Sequence, residues 1–194
     1  PKANVRLPAE EITLAELLSA AGYATGMVGK WHLGDRSPSL PNDMGFDSYF
    51  GALYSNDMEP FALYANRNIA AEAPVDQRFL TERYTQAATS FIQQHAEGPF
   101  FLYFAHNFPH APLSTRPERS GTSRAGLYGD DLGGIDDCVG AIAAALDRTG
   151  TLDNTLIIIT SHKAPRLLVD SREPAAPQRH TLAGGPRTHT IAWL

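Results

Sequence analysis

Gly22-Tyr23-Ala24-Thr25-Gly26-Met27-Val28-Gly29-Lys30-Trp31-His32-Leu33-Gly34 runs from small and apolar residues into a Lys and a His held between glycines. The first part reads as a short buried strand over Tyr23–Val28, and the second as the loop where that strand ends. An ammonium is a compact point charge, and an imidazole exchanges a proton near neutral pH. Two residues apart on one glycine-bounded loop, Lys30 and His32 suit the handling of an anion. Taken alone, the same residues also suit a solvated Lys and a capping His.

Upstream, Thr13 and Glu16 form a capping box. Leu14, Leu17, Leu18 and Ala21 supply the apolar stripe of a helix that stops at Gly22. Downstream, Leu33 to about Asp76 is rich in Pro, Gly, Asn and Asp and reads as one long irregular stretch. Its aromatics (Phe46, Tyr49, Phe50, Tyr54, Phe61, Tyr64) predict that it is ordered. A helix is expected from Phe79 to about Ala96, stopped by Gly98-Pro99, and a continuous apolar strand from Phe100 to Ala105. Leu132, Ile135, Val139, Ile142 and Leu146 recur at helical spacing up to Gly150, and Leu156–Thr160 reads as another buried strand.

Helices alternating with fully apolar strands indicate a mostly parallel sheet with helices on both faces, an α/β fold. In such sheets ligands gather beyond the carboxyl ends of the strands. Lys30 and His32, His106 and His110, and Ser161 and His162 all fall at such ends.

A chain of 194 residues, 43% hydrophobic and 19% charged, can build one real core. A net charge of -5 without a Lys/Arg cluster argues against a nucleic-acid surface. No apolar run approaches the ~20 residues of a membrane span. The single Cys138 forms no internal disulfide. Charge divides the chain: residues 1–160 balance to -8 and residues 161–194 to +3, with Pro165, Pro174, Pro177 and Pro186 interrupting any helix in the tail. The expected organisation is a partial domain over 1–160, followed by a divergent or disordered tail of the same domain over 161–194. Pro1 is not Met and Asn4 to Glu11 already leads into a helix, so a fragment is expected.

From about Leu7 to Thr160 the chain resembles the formylglycine-dependent sulfatases, in particular the arylsulfatase A-like group. The resemblance lies in Leu7 to Leu18, Gly22 to Gly34, Gly45-Phe46-Asp47 and Tyr54-Ser55-Asn56-Asp57. It continues in Pro99 to Tyr103, Pro109-His110-Ala111-Pro112-Leu113 and Asp153 to Thr160. It implies the alkaline-phosphatase-like α/β sandwich and hydrolysis of sulfate esters by a hydrated formylglycine, usually beside a calcium ion. By the same motifs Lys30 is expected to neutralise sulfate oxygens and the nucleophile. His32 is expected to contact the formylglycine hydroxyls and take a proton when the sulfated enzyme collapses to the aldehyde. His110 should hydrogen-bond the ester oxygen and help the alcohol leave, and Ser55 should donate to a sulfate oxygen. Charge building on those oxygens makes aimed donors worth several kcal/mol. As sequence, His110 also suits a turn cap and Ser55 an ordinary turn. His95 and His106 read as structural, and Asp130-Asp131 and Asp136-Asp137 as solvated helix faces.

Three departures from the family stand out. The Cys-x-Pro-x-Arg or Ser-x-Pro-x-Arg nucleophile motif and the first acidic metal pair belong upstream of Leu7. Cys138, followed by Val139-Gly140-Ala141-Ile142, does not replace the former. After the last strand the family has Asp-Asn-Gly, where this chain has Ser161-His162-Lys163. His162 and Lys163 thus replace two hard oxygen ligands, so calcium is expected of the intact family member and not of this chain. Gln178, with Arg179 beside it, stands where the family's second sulfate-binding Lys is expected. Gly184 to Arg187 echo the family again, which fits a disturbed reading frame between His162 and about Ala183.

The expected partner is a sulfated small molecule or sulfated sugar, and the expected location periplasmic, secreted or lysosomal. The alternatives are a non-catalytic anion-binding pseudoenzyme domain and a phosphate or phosphonate monoester hydrolase of the same superfamily. The oligomeric state is left open.

Overall fold

Three helices and five strands make up a computed structural model of the chain, which describes residues 6–160. Residues 6–155 belong to one compact unit, and a second begins at residue 156. In order, the first unit runs α1 (Leu14–Ala20), β1 (Ala24–Gly29), β2 (Ser48–Gly51), β3 (Leu63–Ala65), β4 (Asn68–Ala71), α2 (Leu80–Gln94), β5 (Phe100–Ala105) and α3 (Gly126–Arg148). The sheet order is β4-β3-β2-β1-β5.

β1 is parallel to both β2 and β5, with Met27 opposite Tyr49 and Tyr103. β2, β3 and β4 pair antiparallel. The sheet is therefore mixed, and its parallel half holds the strand ends that matter below. The meander of β2, β3 and β4 rises from the stretch read as irregular. Its strands are only three or four residues long, too short for a periodicity to stand out from the turns between them. At the hairpin tip Asn66 adopts φ +54°, and its Oδ1 accepts from the Tyr49 N–H at 2.9 Å. Asn is among the few residues with a Cβ that visit that left-handed backbone, and here its side chain is held from β2.

Alternation along the strands sorts the core into two layers. Val28, Phe50, Leu102 and Phe104 face α2 and α3, where Leu80, Tyr84, Ala88, Ile135 and Cys138 are buried. Met27, Tyr49, Phe101 and Tyr103 face the other way, with Ala15 of α1, Trp31, Met44 and Phe46. Helices thus cover both faces, as an α/β fold requires. Each Leu, Ile or Phe so buried contributes about 1.5–3 kcal/mol relative to an exposed one. Gly26 lets α2 approach β1 closely: a Cβ there would lie 2.5 Å from the Phe91 ring.

The Gly45-Phe46-Asp47 motif has a structural role. Asp47 Oδ2 accepts from both the N–H and the hydroxyl of buried Thr25, at 2.9 and 3.0 Å, and its own N–H is bonded to Thr25 Oγ1 at 2.9 Å. This locks the entry of β2 beside β1.

Two expectations fail. The capping box of α1 forms, with Thr13 Oγ1 accepting from the Glu16 N–H at 3.1 Å. Its leucine stripe does not face the core: Leu14 and Leu17 are 59% and 58% exposed, and Ala15 is the buried residue. A seven-residue helix has barely two turns, and the close seat against β1 takes the smallest side chain. Residues 156–160 form no strand, and Leu156 is 69% exposed. An apolar run specifies burial but not a ladder partner.

Candidate active site

The carboxyl ends of β1, β2 and β5 converge through backbone bonds. Lys30 N–H donates to Ala105 O at 2.7 Å, Trp31 N–H to Ala52 O at 3.0 Å, and His32 N–H to Leu53 O at 2.9 Å. The loop after β1 is thereby pinned to both neighbouring strands. Gly29 permits this: its φ is +115°, and a Cβ there would collide with the Ala105 carbonyl. His32 takes φ +59°, a left-handed conformation that costs a residue with a Cβ about 1–2 kcal/mol. Such strain gathers at functional loops. Its ring stands edge-on to Tyr54, with centroids 5.5 Å apart. Trp31 turns inward, and its indole N–H donates to Ser39 O at 2.8 Å.

Ser55 and His110, 55 residues apart in the chain, meet at this rim. His110 Nδ1 lies 2.7 Å from Ala111 O and 3.4 Å from Ser55 Oγ, with Asp57 Oδ1 at 3.9 Å. A carbonyl only accepts, so Nδ1 carries the proton in this geometry. That leaves Nε2 with the lone pair in the neutral ring, and with a proton to lend once the ring is doubly protonated. Ser55 is buried, while His110 keeps partial solvent access. The structure therefore joins Ser55 to His110 directly, and brings Lys30 and His32 to the same edge through their backbones.

Two residues that the sequence reading passed over hold this pair. Buried Asn56 donates from Nδ2 to His110 O at 3.2 Å, to Pro112 O at 2.9 Å and to Gln77 Oε1 at 3.2 Å. Gln77 Nε2 returns a bond to Asn56 O at 2.8 Å. Asn56 stood inside a quoted motif, yet nothing in the sequence tied it to residues 110–112. Beneath them, Tyr84 Oη of α2 donates to Asn107 Oδ1 at 2.7 Å.

His106 is structural, as its sequence setting suggested. It is buried with ring contacts to Tyr84, Phe104 and Phe108, and burial pushes its pKa down to about 4. Its Nδ1 accepts from the Phe108 N–H at 2.9 Å. His95 caps α2 and packs its ring on Phe91 at 4.5 Å.

Asp130 and Asp131 are not a solvated face: they are 1% and 3% exposed. Asp130 accepts from the N–H groups of Gly121 and Ser123, at 2.8 and 2.7 Å, and from the Thr122 hydroxyl. These bonds, led by Gly121's, hold its carboxyl below the usual range. Asp131 accepts from the Ser114 N–H at 3.3 Å, and burial pushes its pKa up to about 7, with neighbouring Asp130 adding to the rise. Adjacent carboxylates diverge around a helix, and here both directions meet the folded-back loop of residues 114–123, which no periodicity could announce. Asp136 and Asp137 are exposed, and Asp137 pairs with Arg119.

Among the described residues, no three His, Cys, Asp or Glu side chains come together as a metal site. His162, Lys163, Gln178 and Arg179 lie outside the described residues.

Residues 2–193 match the sequence model of the family described as Sulfatase. The chain is 37% identical over 210 residues to N-acetylgalactosamine-6-sulfatase of Mus musculus, an alignment covering 96% of this chain and 40% of that protein. It is 32% identical over 201 residues to arylsulfatase A of Homo sapiens, covering 89% and 39%. It thus spans about two fifths of the length of these curated relatives. Among solved structures, Ps i-CgsB in complex with k-i-k-neocarrahexaose aligns with a TM-score of 0.69 at 28% identity, over 80% of this chain and 40% of that one. The PsFucS1 sulfatase from Pseudoalteromonas sp. aligns with a TM-score of 0.70 at 24% identity, over 78% and 38%, a likeness of fold.

Proposed function

This chain belongs to the sulfatase family, and we propose that its sheet rim is the anion-binding and leaving-group side of a sulfate-ester hydrolase site. The observation that carries this reading is the Ser55–His110 contact at the strand edge where the Lys30 and His32 backbones are pinned. Lys30 supplies the positive charge for the sulfate oxygens. Ser55 Oγ, already turned to His110, donates to one of them. As the S–O bond to the bridging oxygen breaks, a doubly protonated His110 ring delivers the proton on Nε2 to the departing alcohol and is left as the neutral Nδ1–H form. Ala111 O and Ser55 Oγ hold Nδ1–H and so fix which nitrogen does this. His32 is assigned to the nucleophile side, as base when the sulfated intermediate collapses.

Two parts of the family chemistry are not supplied by these residues. The 194 residues contain no Cys-x-Pro-x-Arg or Ser-x-Pro-x-Arg segment for the nucleophile. The described donors also do not fit calcium, which takes six to eight oxygens, so no step is routed through a metal ion. The chain alone is therefore expected to bind sulfate without turning over an ester. Groups that act as a unit lose catalysis together when one is removed.

A sulfated sugar is the proposed substrate class. One relative is an N-acetylgalactosamine-6-sulfatase, and one structural neighbour was solved with a neocarrahexaose. A periplasmic, secreted or lysosomal location belongs to the same proposal. No described helix is long and apolar enough to cross a membrane.

Titration of the 194-residue chain with inorganic sulfate tests the reading. Binding is expected, and Lys30→Ala and His110→Ala should each weaken it at least tenfold. Sulfate binding indifferent to both substitutions would overturn the assignment. Turnover of an aryl sulfate by this chain, abolished by His110→Ala, would overturn the prediction of inactivity.

A further inference from the structure

The histidine that the proposed mechanism relies on sits on a loop whose backbone is held from below by one amide. Asn56 Nδ2 reaches the carbonyls of both His110 and Pro112, and Gln77 closes a two-way bond with Asn56 through its own amide. Asn56 is also the residue after Ser55, so a single dipeptide makes two kinds of contact with His110: Ser55 touches the ring, and Asn56 holds the backbone.

We propose that Asn56, braced by Gln77, is a positioning residue that sets the tautomer and aim of the His110 imidazole toward the bound anion. This inference rests on the reading of His110 as the leaving-group acid. Nδ1–H stays where it is only while Ala111 O remains 2.7 Å away. Ala111 lies between the two residues whose carbonyls Asn56 holds, so fixing residues 110 and 112 fixes the acceptor that selects the tautomer. An Asn serves here because its amide nitrogen carries two protons, enough to bind several carbonyl oxygens from one point. A site loose by about 1 Å loses much of its function.

Asn56 and Gln77 differ usefully as targets. Asn56 is 1% exposed, and its removal leaves two carbonyls without their donor. Gln77 is only partly buried, at the short turn Gln77–Phe79 before α2, so Gln77→Ala loosens the same brace without opening the core.

The test uses the 194-residue chain labelled with 15N on histidine. Ring nitrogen shifts of His110 and the affinity for inorganic sulfate are measured for the unsubstituted chain, Asn56→Ala, Gln77→Ala and Lys30→Ala. In the unsubstituted chain the shifts should report the Nδ1–H form. Asn56→Ala should move them toward a mixture of tautomers and weaken sulfate binding five- to tenfold. Gln77→Ala should give a smaller change of the same sign, and it carries the test alone if Asn56→Ala does not fold. Unchanged ring shifts and affinities within twofold in a folded variant, with Lys30→Ala still losing sulfate, would overturn the positioning role and leave the proposed function standing. Sulfate binding indifferent to Lys30→Ala would instead remove the anion site and the inference with it.

Discussion

His106 and Asp131 are two buried ionisable groups that the mechanism does not use, and burial pushes their pKa values in opposite directions. The His106 pKa falls to about 4 from an ordinary 6.5. Its contribution is complete above about pH 6.5 and is lost as the pH falls toward 4, because the unfolded chain then takes up a proton that the fold refuses. The Asp131 pKa rises to about 7 from 3.8. Its contribution is complete below about pH 4 and is lost as the pH rises through 7, because the unfolded chain then releases a proton that the fold retains. Between those limits the two slopes, each up to about 1.4 kcal/mol per pH unit, oppose one another. Urea unfolding across pH 4.5–6.5 should reveal this when each variant is compared with the unsubstituted chain. His106→Phe should tilt stability downward with rising pH, and Asp131→Asn, which keeps an acceptor for the Ser114 N–H, should tilt it upward. Parallel profiles for all three chains would show that neither group's pKa differs between the folded and unfolded chain.

At the scale of the elements, the site depends on how closely three strand ends approach one another. Gly29 closes β1 with its backbone against Ala105 at the end of β5, and a Cβ at Gly51 of β2 would in turn collide with the Gly29 carbonyl. These are backbone contacts and cannot rotate away. Gly29→Ala adds a single methyl group, yet it forces a positive φ on a residue with a Cβ and parts β1 from β5. The expected loss is about 3 kcal/mol, from strain and overpacking together. Thermal unfolding should show it as a lowered midpoint, accompanied by weaker sulfate binding because Lys30 is the next residue. A midpoint within a degree of the unsubstituted chain would mean that the strand ends do not meet as described.

At the scale of the whole molecule, the apolar residues exposed on α1 and just before its N-cap stand out. Ile12, Leu14 and Leu17 are all more than half exposed, a grouping of apolar surface that promotes association. Replacing Leu14 and Leu17 by Lys should therefore leave the unfolding free energy within about 0.5 kcal/mol while raising the concentration at which the chain self-associates. Light scattering against concentration measures the second effect and urea unfolding the first. A destabilisation of 2 kcal/mol or more would place these leucines in the core after all.

The amino-acid order by itself determined the helices, the long apolar strands, the family and the residue types at the strand ends. Those features are local: a capping box, a helical period and a glycine-bounded Lys-Trp-His are each written within about 20 residues. The chain pattern also put Lys30, His32, His106 and His110 where β1 and β5 end. Only the tertiary structure decided which residues hold which. Asn56 is tied to residues 110 and 112, Asp130 to residues 121–123, and Thr25 to Asp47, across separations that no periodicity spans. It also decided that Ala15, not its leucine neighbours, seats α1, that short strands cross the stretch before Asp76, and that residues 156–160 form no strand. Polarity tells a residue whether to seek water. The partner it meets once water is excluded is set by where the rest of the chain folds back.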